Sequence, residues 1–346
     1  MWSRHVTTVL TVLAVGTASA LMAPGTAAAA APATCTPTKL PLPAGMTEGE
    51  IGAADSGSGF AGRVYNASTY HAVRWSGGKV IDYGDLPGLT ATMTVSGVNR
   101  SGTLVGNTID RDNSKAHAFR SRDGKLEALP LPSGIQSAFP TAINDAGDIV
   151  GWGYGSGGPS IAILWPASAP GTVVKVTGGL PTAGSSRAVG IDQDGTVLVN
   201  SYPVGNGTDP NAVYLWRAGS ARKLAAPQGS TRVRGDAVSQ GRVAGSASPA
   251  DGRGAGILWD KDGSMVRPEK SGLLYSVNST GQSVGFEPGG TLDEPLVTGV
   301  WQFGKETASL TGAEIRVAVS ANDGTLGGSV RDYDVYRTFP TTWRCG

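Results

Sequence analysis

The feature that most constrains the fold is a tryptophan that recurs at a nearly constant interval. Short apolar runs end in tryptophan at six places, roughly 42 to 51 residues apart once one gap is filled. The gap falls where the run "HAFRS" ends in Ser121. The six residues are Trp75, Trp165, Trp216, Trp259, Trp301 and Trp343. Self-similarity at this period is typical of repeat architectures. It predicts seven units, with these tryptophans in the core between them.

A column of glycines supports the same count. In six units, a short apolar segment that precedes the tryptophan position ends in glycine, whereas unit four has Val199 there. The glycines are Gly62, Gly106, Gly151, Gly245, Gly285 and Gly328. Turns such as "NDAG" and "NSTG" come just before these segments, since Asn and Asp cap their own turn backbone and glycine accepts positive φ. Each unit therefore contains four predicted strands: the third ends at the tryptophan, and a Pro-containing loop follows the fourth.

Low charge and abundant glycine agree with a chain of strands and tight turns. Charged residues make up 16% of the sequence, and 52 of its 346 residues are glycine. Four antiparallel strands at this period are typical of a blade of a WD40-like β-propeller. We predict an all-β fold, a seven-bladed β-propeller of four-stranded antiparallel blades, in which the N-terminal strand completes the last blade.

The two cysteines, at opposite ends of the chain, support that closure. The last unit stops after its third strand, and the segment "LPLPAG" at 40–45 matches "LPLPSG" at 129–134, the fourth strand of unit two. This register places Cys35 opposite Gly124, and counting from the tryptophan column places Cys345 opposite Asp123. We therefore predict a Cys35–Cys345 disulfide in place of the turn between the third and fourth strands.

On these motifs the chain resembles the extracellular HAF-repeat proteins. The segment His117–Phe119 reads "HAF", His71–Val73 reads "HAV", and the shared order is Asn-x-x-Gly-x-x-Val-Gly, then Trp, then Gly-Asp-Leu-Pro-Gly. The resemblance covers essentially the whole mature chain. It implies a secreted repeat protein of propeller type, and it implies no particular activity.

The N-terminus predicts export. Arg4 precedes an apolar run from about Val6 to Val15, and small residues follow with an Ala-x-Ala-type cleavage site near 28–33. The run is shorter than the ~20 residues of a membrane-spanning helix, and "PAT" before Cys35 does not fit a lipid-anchor signal. We expect residues 1–33 to be removed and residues 34–346 to form one secreted, monomeric propeller domain without membrane insertion.

The charge balance argues against a nucleic-acid partner. Without Arg4 the chain has 27 basic residues (28 − 1) and 27 acidic ones, whereas nucleic-acid binding favours a basic surface. We therefore expect any partner to be an extracellular glycan or a protein.

The loops between the second and third strands of the units lie on one predicted face with the connections between blades. These loops vary in length and composition, and variable loops on a rigid scaffold are where recognition usually occurs. Aromatic residues among small polar groups suit a carbohydrate or peptide ligand. The candidate ligand-binding residues are Trp152, Tyr154, Tyr202, Phe286, Tyr333 and Tyr336.

Catalytic motifs are scarce. His71 and His117 share one repeat position, which favours a structural role, and with no third ligand they do not form a zinc set. The sequence has no Gly-x-Ser-x-Gly motif, and we predict no catalytic residues and no cofactor. Acidic segments that leave Ca²⁺ binding open lie at 109–113, 192–195, 260–263 and 331–334.

The sequence favours a secreted, non-catalytic protein that binds extracellular or cell-wall glycan, or a protein partner, through its loop-rich face. One alternative is a polysaccharide hydrolase or lyase with acidic residues around the central channel. That alternative requires at least three acids from different blades to converge in the channel. The other alternative is a purely structural surface component.

Overall fold

The computed structural model describes residues 33–346 except 87, 89–91, 111–114, 205–211, 250, 251, 253, 288–296 and 313–314. The described residues form 28 strands in seven four-stranded antiparallel sheets. The sheets are the blades of a ring, so the predicted seven-bladed β-propeller is confirmed. Among these residues, no helix has the length and hydropathy needed to cross a membrane.

Four consecutive strands make up each of the first three blades. Blade 1 contains β2 (Glu48–Ala54), β3 (Phe60–Tyr65), β4 (Tyr70–Ser76) and β5 (Lys79–Asp82). Blade 2 contains β6 (Thr92–Val98), β7 (Leu104–Ile109), β8 (Ala116–Arg122) and β9 (Lys125–Ala128). Blade 3 contains β10 (Ser137–Ile143), β11 (Ile149–Tyr154), β12 (Ile161–Trp165) and β13 (Val174–Lys175).

The remaining blades follow the same order until the last, which takes its fourth strand from the N-terminal end of the described chain. Blade 4 contains β14 (Ser185–Ile191), β15 (Val197–Tyr202), β16 (Ala212–Arg217) and β17 (Ser220–Lys223). Blade 5 contains β18 (Ser230–Ser239), β19 (Arg242–Pro249), β20 (Ala255–Trp259) and β21 (Met265–Val266). Blade 6 contains β22 (Leu273–Val277), β23 (Gln282–Phe286), β24 (Val297–Gln302) and β25 (Lys305–Thr311). Blade 7 contains β26 (Ile315–Ser320), β27 (Leu326–Asp332), β28 (Arg337–Cys345) and β1 (Cys35–Lys39).

The first strand of each blade in chain order is its inner strand, because these strands contact one another around the ring. Each inner strand contains a β-bulge, a single extra residue that shifts the pairing with the second strand. A bulge bends and twists the strand locally. It occurs at the same place in every blade, at Gly52, Ser96, Thr141, Val189, Asp236, Tyr275 and Ala318.

The bulge explains the glycine column on the second strands. In six blades, a Cβ added to the column glycine would lie 1.9–2.2 Å from the carbonyl oxygen of the residue two positions before the bulge. At Gly285, for example, the Cβ would meet the carbonyl oxygen of Leu273 at 1.9 Å. Neither the glycine nor the carbonyl group can move aside easily, because both belong to the hydrogen-bonded backbone of a sheet. Blade 4, with Val199, departs from this pattern, and nothing in the structure explains why.

We therefore expect Gly285→Ala to lower the free energy of unfolding by at least about 2 kcal/mol, since a methyl group forced into a packed sheet overpacks it. Gly158→Ala is the matched control, because its Cβ would meet nothing within 4 Å. The control is expected to stay within about 0.5 kcal/mol of wild type. Denaturant unfolding measures both, and equal midpoints for the two variants would contradict the steric explanation.

The column tryptophans join neighbouring blades, which confirms their predicted place in the core between units. All six are buried. In four of them the indole N–H also donates to a carbonyl oxygen at the end of the fourth strand of the preceding blade. The bonds are Trp75 to Pro41 (2.8 Å), Trp165 to Pro130 (2.7 Å), Trp259 to Ala225 (2.8 Å) and Trp301 to Glu269 (2.9 Å). The aligned residues Pro41 and Pro130 thus play the same role in blades 7 and 2.

The two ends of the described chain meet in blade 7 as predicted. β1 pairs with β28, with Thr36 opposite Arg344 and Cys35 opposite Cys345. In blade 2 the equivalent pair of residues is Arg122 and Lys125, and Asp123 and Gly124 form the turn beyond it. The cysteines therefore occupy the two turn positions. They form a disulfide whose Cα atoms are 4.0 Å apart, close to the 3.80 Å that a trans peptide spans.

Loss of this disulfide is expected to lower the melting temperature by about 5 to 10 °C. The closed loop spans 310 residues, for which the chain-entropy model gives up to about 5 kcal/mol, and about 1 kcal/mol corresponds to roughly 2 °C in a domain of this size. Calorimetry with and without reductant measures the shift. Cys345→Ser and Cys35→Ser/Cys345→Ser should melt at the same temperature, below wild type, and an unchanged melting temperature would contradict the role of the bridge.

Candidate functional site

The channel through the ring has a turn end, where the loops after the inner strands lie, and a loop end on the opposite side. At the turn end, a polar cavity of about 470 Å³ is lined by residues of all seven blades. Residues that follow the inner strands hydrogen-bond from one blade to the next. The backbone N–H of Arg100 donates to Asp145, and the N–H of Asp145 donates to Gln193. The N–H of Ser279 likewise donates to Asn322.

Three carboxylates from different blades converge at this turn end. Asp55, Asp145 and Asp192 all line the cavity, so the positional requirement of the hydrolase alternative is met. Each of them, however, already accepts hydrogen bonds from turn backbone. Asp55 accepts from two N–H groups of its own turn and pairs with Arg74. Asp192 accepts from the N–H groups of two residues of blade 5 at 2.9 and 2.5 Å. These contacts assign all three carboxylates a turn-capping role.

The acidic segments considered for Ca²⁺ also serve as turns and ion pairs. Asp194 accepts from the N–H of Thr196 and pairs with Arg217, and Asp260 pairs with Arg242. The segment at 109–113 lies partly outside the described residues. Over the described ranges, no group of three or more His, Cys, Asp or Glu side chains is arranged to hold a metal ion.

The two repeat histidines each contact an aspartate. Nδ1 of His71 lies 2.9 Å from a carboxylate oxygen of Asp82, and Nε2 of His117 lies 3.1 Å from one of Asp110. They occupy equivalent positions on the third strands of blades 1 and 2, but their partners come from different parts of the repeat. These contacts are compatible with the predicted structural role.

Towards the loop end, the inner strands carry side chains that differ from blade to blade. The residue two positions before the bulge is Glu50, Thr94, Phe139, Arg187, Arg234, Leu273 or Arg316. Three of the seven are arginines, on blades 4, 5 and 7. The residue next to them in the strand is apolar or glycine in every blade, because it packs into the core.

The blade 3–4 cluster is the strongest candidate site, and it consists of Phe139, Trp152, Tyr154, Arg187 and Tyr202. Phe139 and Trp152 are stacked, with ring centroids 4.3 Å apart and an interplanar angle of 14°. Tyr154 lies 6.1 Å from each of these rings and is 37% exposed. All five residues belong to the strands β10, β11, β14 and β15, which hold them in place.

Arg187 joins the two blades of the cluster. Its guanidinium carbon lies 4.1 Å from the centroid of Trp152 and 4.9 Å from that of Tyr202. Nε of Arg187 donates to the hydroxyl of Ser160 at 3.2 Å. Phe139 and Arg187 thus both pack against the indole of Trp152, and Tyr202 is buried. Tyr154 therefore offers the most accessible ring of the cluster.

Blade 5 extends the charged part of this surface. Arg234 pairs with Asp236 at 2.7 Å, and both act electrostatically on the phenol of Tyr202. Burial raises the pKa of Tyr202, and the charges of Arg187 and Arg234 partly oppose this. Burial also raises the pKa of Asp236 to about 6, because the charge of Arg234 compensates only part of the desolvation.

The six predicted ligand-binding aromatics fall into three places. Trp152, Tyr154 and Tyr202 come together in the blade 3–4 cluster. Phe286 packs against Tyr275 in blade 6, with ring centroids 5.2 Å apart. The other two, Tyr333 and Tyr336, are exposed on the hairpin between β27 and β28. Tyr202 and Phe286 are the last residues of β15 and β23, and the segments 205–211 and 288–296 that come after them lie outside the described residues.

Sequence reasoning missed four residues of this surface: Phe139, Arg187, Arg234 and Asp236. They were missed because they lie on inner strands, whereas the prediction placed the ligand-binding residues in loops. Three of them share one repeat position, two before the bulge. An unusual aromatic or basic residue at that position was the available signal, but its use required knowing where the bulge lies.

No family model and no curated protein matches this chain. Solved structures do match it. A structure of prolyl endopeptidases aligns with a TM-score of 0.58 and 13% identity, over 86% of this chain and 50% of that one. The β-propeller domain of the trilobed protease from Pyrococcus furiosus aligns with 0.55 and 11%, over 86% and 96%. Acylaminoacyl peptidase from Pyrococcus horikoshii aligns with 0.51 and 11%, over 86% and 51%.

These likenesses define the class of the fold, a β-propeller, and at such identities they show the fold alone. The chain spans about half the length of the prolyl endopeptidase and acylaminoacyl peptidase chains. The Pyrococcus furiosus propeller is described as having an open velcro topology, whereas here β1 pairs with β28 to close the ring.

The buried carboxyl of Asp236 predicts a pH-dependent stability. Its pKa is about 6 in the folded protein against 3.8 for the unperturbed group, so the folded state holds this proton more tightly than the unfolded state does. Stability therefore falls by about 3 kcal/mol as pH rises from about 4 to about 6. Asp236→Asn should raise the free energy of unfolding by about 2–3 kcal/mol at pH 8 and change it little at pH 4.

Asp194→Asn is the matched control with the opposite sign. Slight burial acts to raise the pKa of Asp194, but hydrogen bonds from Thr196 and the charge of Arg217 outweigh it, so the pKa is lowered. This variant should be slightly less stable than wild type at pH 8. Denaturant titrations at pH 4 and 8 measure both variants. A destabilised Asp236→Asn protein at pH 8 would show that the ion pair with Arg234 outweighs the desolvation.

Proposed function

We propose that the chain is an exported, non-catalytic propeller that binds an extracellular glycan through the blade 3–4 cluster. The observation that carries this proposal is the strand-held aromatic stack of Phe139 and Trp152 with the partly exposed ring of Tyr154 beside it. Aromatic faces bind the apolar faces of sugar rings, and rigid placement limits the entropy lost on binding.

The surroundings of the stack suit a polar, hydroxyl-rich ligand. Ser160 and Ser185 lie beside the cluster, and the hydroxyl of Ser185 accepts from the N–H of Ser160. Small polar groups next to an aromatic platform are the usual composition of a site that orients a small polar ligand. At the other end of the channel, the three carboxylates serve the turns, which favours binding over hydrolysis.

Export is part of the proposal. A disulfide between chain segments 310 residues apart suits an oxidising compartment, and the N-terminal sequence has the features of a secretory signal. Membership of the extracellular HAF-repeat group belongs to the same proposal. It is supported by the match between the repeat motifs and the seven blades.

A glycan array probed with the mature protein tests the proposal. We expect binding to a subset of glycans, and we expect Tyr154→Ala to weaken it by about tenfold, which corresponds to about 1.4 kcal/mol. Phe303→Ala is the control. Phe303 is 51% exposed, like a ligand-binding aromatic, but it lies on blade 6 in the turn between β24 and β25, at the turn end, whereas the cluster lies towards the loop end. It should bind like wild type.

Three outcomes would overturn the proposal. Loss of binding in Tyr333→Ala but not in Tyr154→Ala would place the binding face on blade 7. Absence of binding to every glycan on the array would favour a protein partner or a structural role. Release of shortened sugars by the wild-type protein would favour the hydrolase or lyase alternative, and the first variant to examine would then be Asp145→Asn.

A further inference from the structure

We propose that the ligand of the blade 3–4 cluster is an acidic saccharide whose carboxylate binds the guanidinium of Arg187. This inference rests on the proposed function and names the chemical class of the ligand. A uronic acid combines the two required groups, since it carries a carboxylate directly on a sugar ring.

Arg187 is held in a way that leaves one side of it for a ligand. Its guanidinium carbon lies 4.1 Å from the ring centroid of Trp152 and 4.9 Å from that of Tyr202, and its side chain also hydrogen-bonds the side chain of Tyr202. Its Nε is used by Ser160. With Nε–H and one further N–H used in this way, three of the five N–H groups remain, and an in-plane pair of such donors matches the two oxygens of a carboxylate.

No carboxylate of the described residues forms an ion pair with Arg187. The chain provides its own comparison in Arg63, which occupies a similar environment on blade 1. Arg63 also lies over two aromatic rings, those of Tyr65 and Tyr70, at 5.6 and 5.9 Å. Unlike Arg187, it pairs with the carboxylate of Glu50 at 3.0 Å, and it also donates to a backbone carbonyl of blade 2.

Glu50 and Arg187 occupy the same inner-strand position, two residues before the bulge. In blade 1 this position supplies the acid that completes the arginine–aromatic arrangement. In blade 4 the same position supplies the arginine itself, and the aromatic rings come from blades 3 and 4. The missing partner is a carboxylate, and the geometry points to the ligand as its source.

The local charge favours an anion. Arg234 lies on the next blade and shares its charge with Asp236, so Arg187, Arg234 and Asp236 together carry one net positive charge when the aspartate is ionised. Both arginines act on the phenol of Tyr202, which places them within electrostatic range of the same spot. An anionic ligand would therefore be attracted to the same surface that presents the fork of Arg187.

The exposed ring of Tyr154 favours a saccharide over a peptide carboxylate. It lies on the same strand as Trp152 and 6.1 Å from it, and Arg187 contacts the same indole, so the exposed ring and the guanidinium are both neighbours of Trp152. A pyranose ring with a carboxylate substituent presents a flat apolar face and an anion within one residue. A peptide C-terminus presents the anion without that face.

Isothermal titration calorimetry of the mature protein tests the inference with oligogalacturonate, alginate oligosaccharide and their carboxyl-reduced counterparts. We expect binding to at least one uronate and at least about tenfold weaker binding to its neutral counterpart, since hydrogen bonds to a charged group contribute about 1.5–3 kcal/mol. Arg187→Gln should lose about 10- to 100-fold in affinity for the uronate and should no longer prefer the uronate over its neutral counterpart. Arg187→Lys should lie between them, because it keeps the charge but not the fork.

Arg331→Gln is the matched control, because Arg331 also lies over an aromatic ring, that of Tyr333, at 5.6 Å. It should leave uronate affinity unchanged, and melting curves show that each variant is folded. Two results would overturn the inference but leave the glycan-binding function intact. One is tighter binding of the neutral sugars than of the uronates, and the other is equal affinity of Arg187→Gln and wild type for the uronate. Binding to a peptide with a free C-terminus but to no saccharide would overturn both. Failure of wild type to bind any of the uronates would overturn the inference.

Discussion

The closure of the ring depends on the pairing of β1 with β28, which completes blade 7 beside blade 1. A propeller blade is flanked by two neighbours, and a blade that lacks its outer strand leaves the backbone N–H and C=O groups of its third strand unpaired. Here the outer strand of blade 7 comes from a segment that precedes blade 1 in the chain, and the disulfide occupies the place of a covalent turn. The same segment supplies the carbonyl of Pro41 that accepts from Trp75. The first blade is therefore attached to the last both by backbone and by side chain.

Contacts that hold blades together also shape the turns within them. Oδ1 of Asn99 accepts from the N–H of Thr103 and so closes the turn of blade 2, while Nδ2 of Asn99 donates to the carbonyl of Asn144 in blade 3. Asn278 does the same in blade 6, where its amide nitrogen donates to the carbonyl of Ala321 at 2.7 Å. One side chain thus satisfies two blades, which explains why Asn recurs at this position. The amide has both a donor and an acceptor, and the position uses both.

Most of the fold could be predicted because each of its constraints repeats. Trp165 is needed between blades 2 and 3 for the same reason as Trp259 between blades 4 and 5, so the requirement appears in the sequence as a period. The cysteines could be placed because the sequences at both ends of the chain align with the turn of blade 2 at Asp123–Gly124.

The candidate site could be predicted only in part. Trp152 and Tyr154 were predicted as aromatics of a variable loop, whereas the structure places both on β11. Arg187 was not, because its contact with Trp152 crosses from one blade to the next and leaves no pattern along the chain.

Seven copies of one blade allow equivalent positions to be compared, so that positions fixed by packing can be told from positions that vary. Where packing alone decides, the copies agree: the residue just before the bulge is apolar or glycine in all seven blades. One position earlier in the strand, the copies have Glu50, Thr94, Phe139 and Arg187 in succession. Packing does not dictate those residues, since the backbone around them is the same in each blade. Two of the five residues of the blade 3–4 cluster, Phe139 and Arg187, stand at this position. Among the described residues no acid pairs with Arg187, although the same strand position of blade 1 supplies an acid to Arg63. Glu50 shows that the scaffold accepts an acid at that position, and in the proposed complex a carboxylate of the ligand would take the corresponding place beside Arg187.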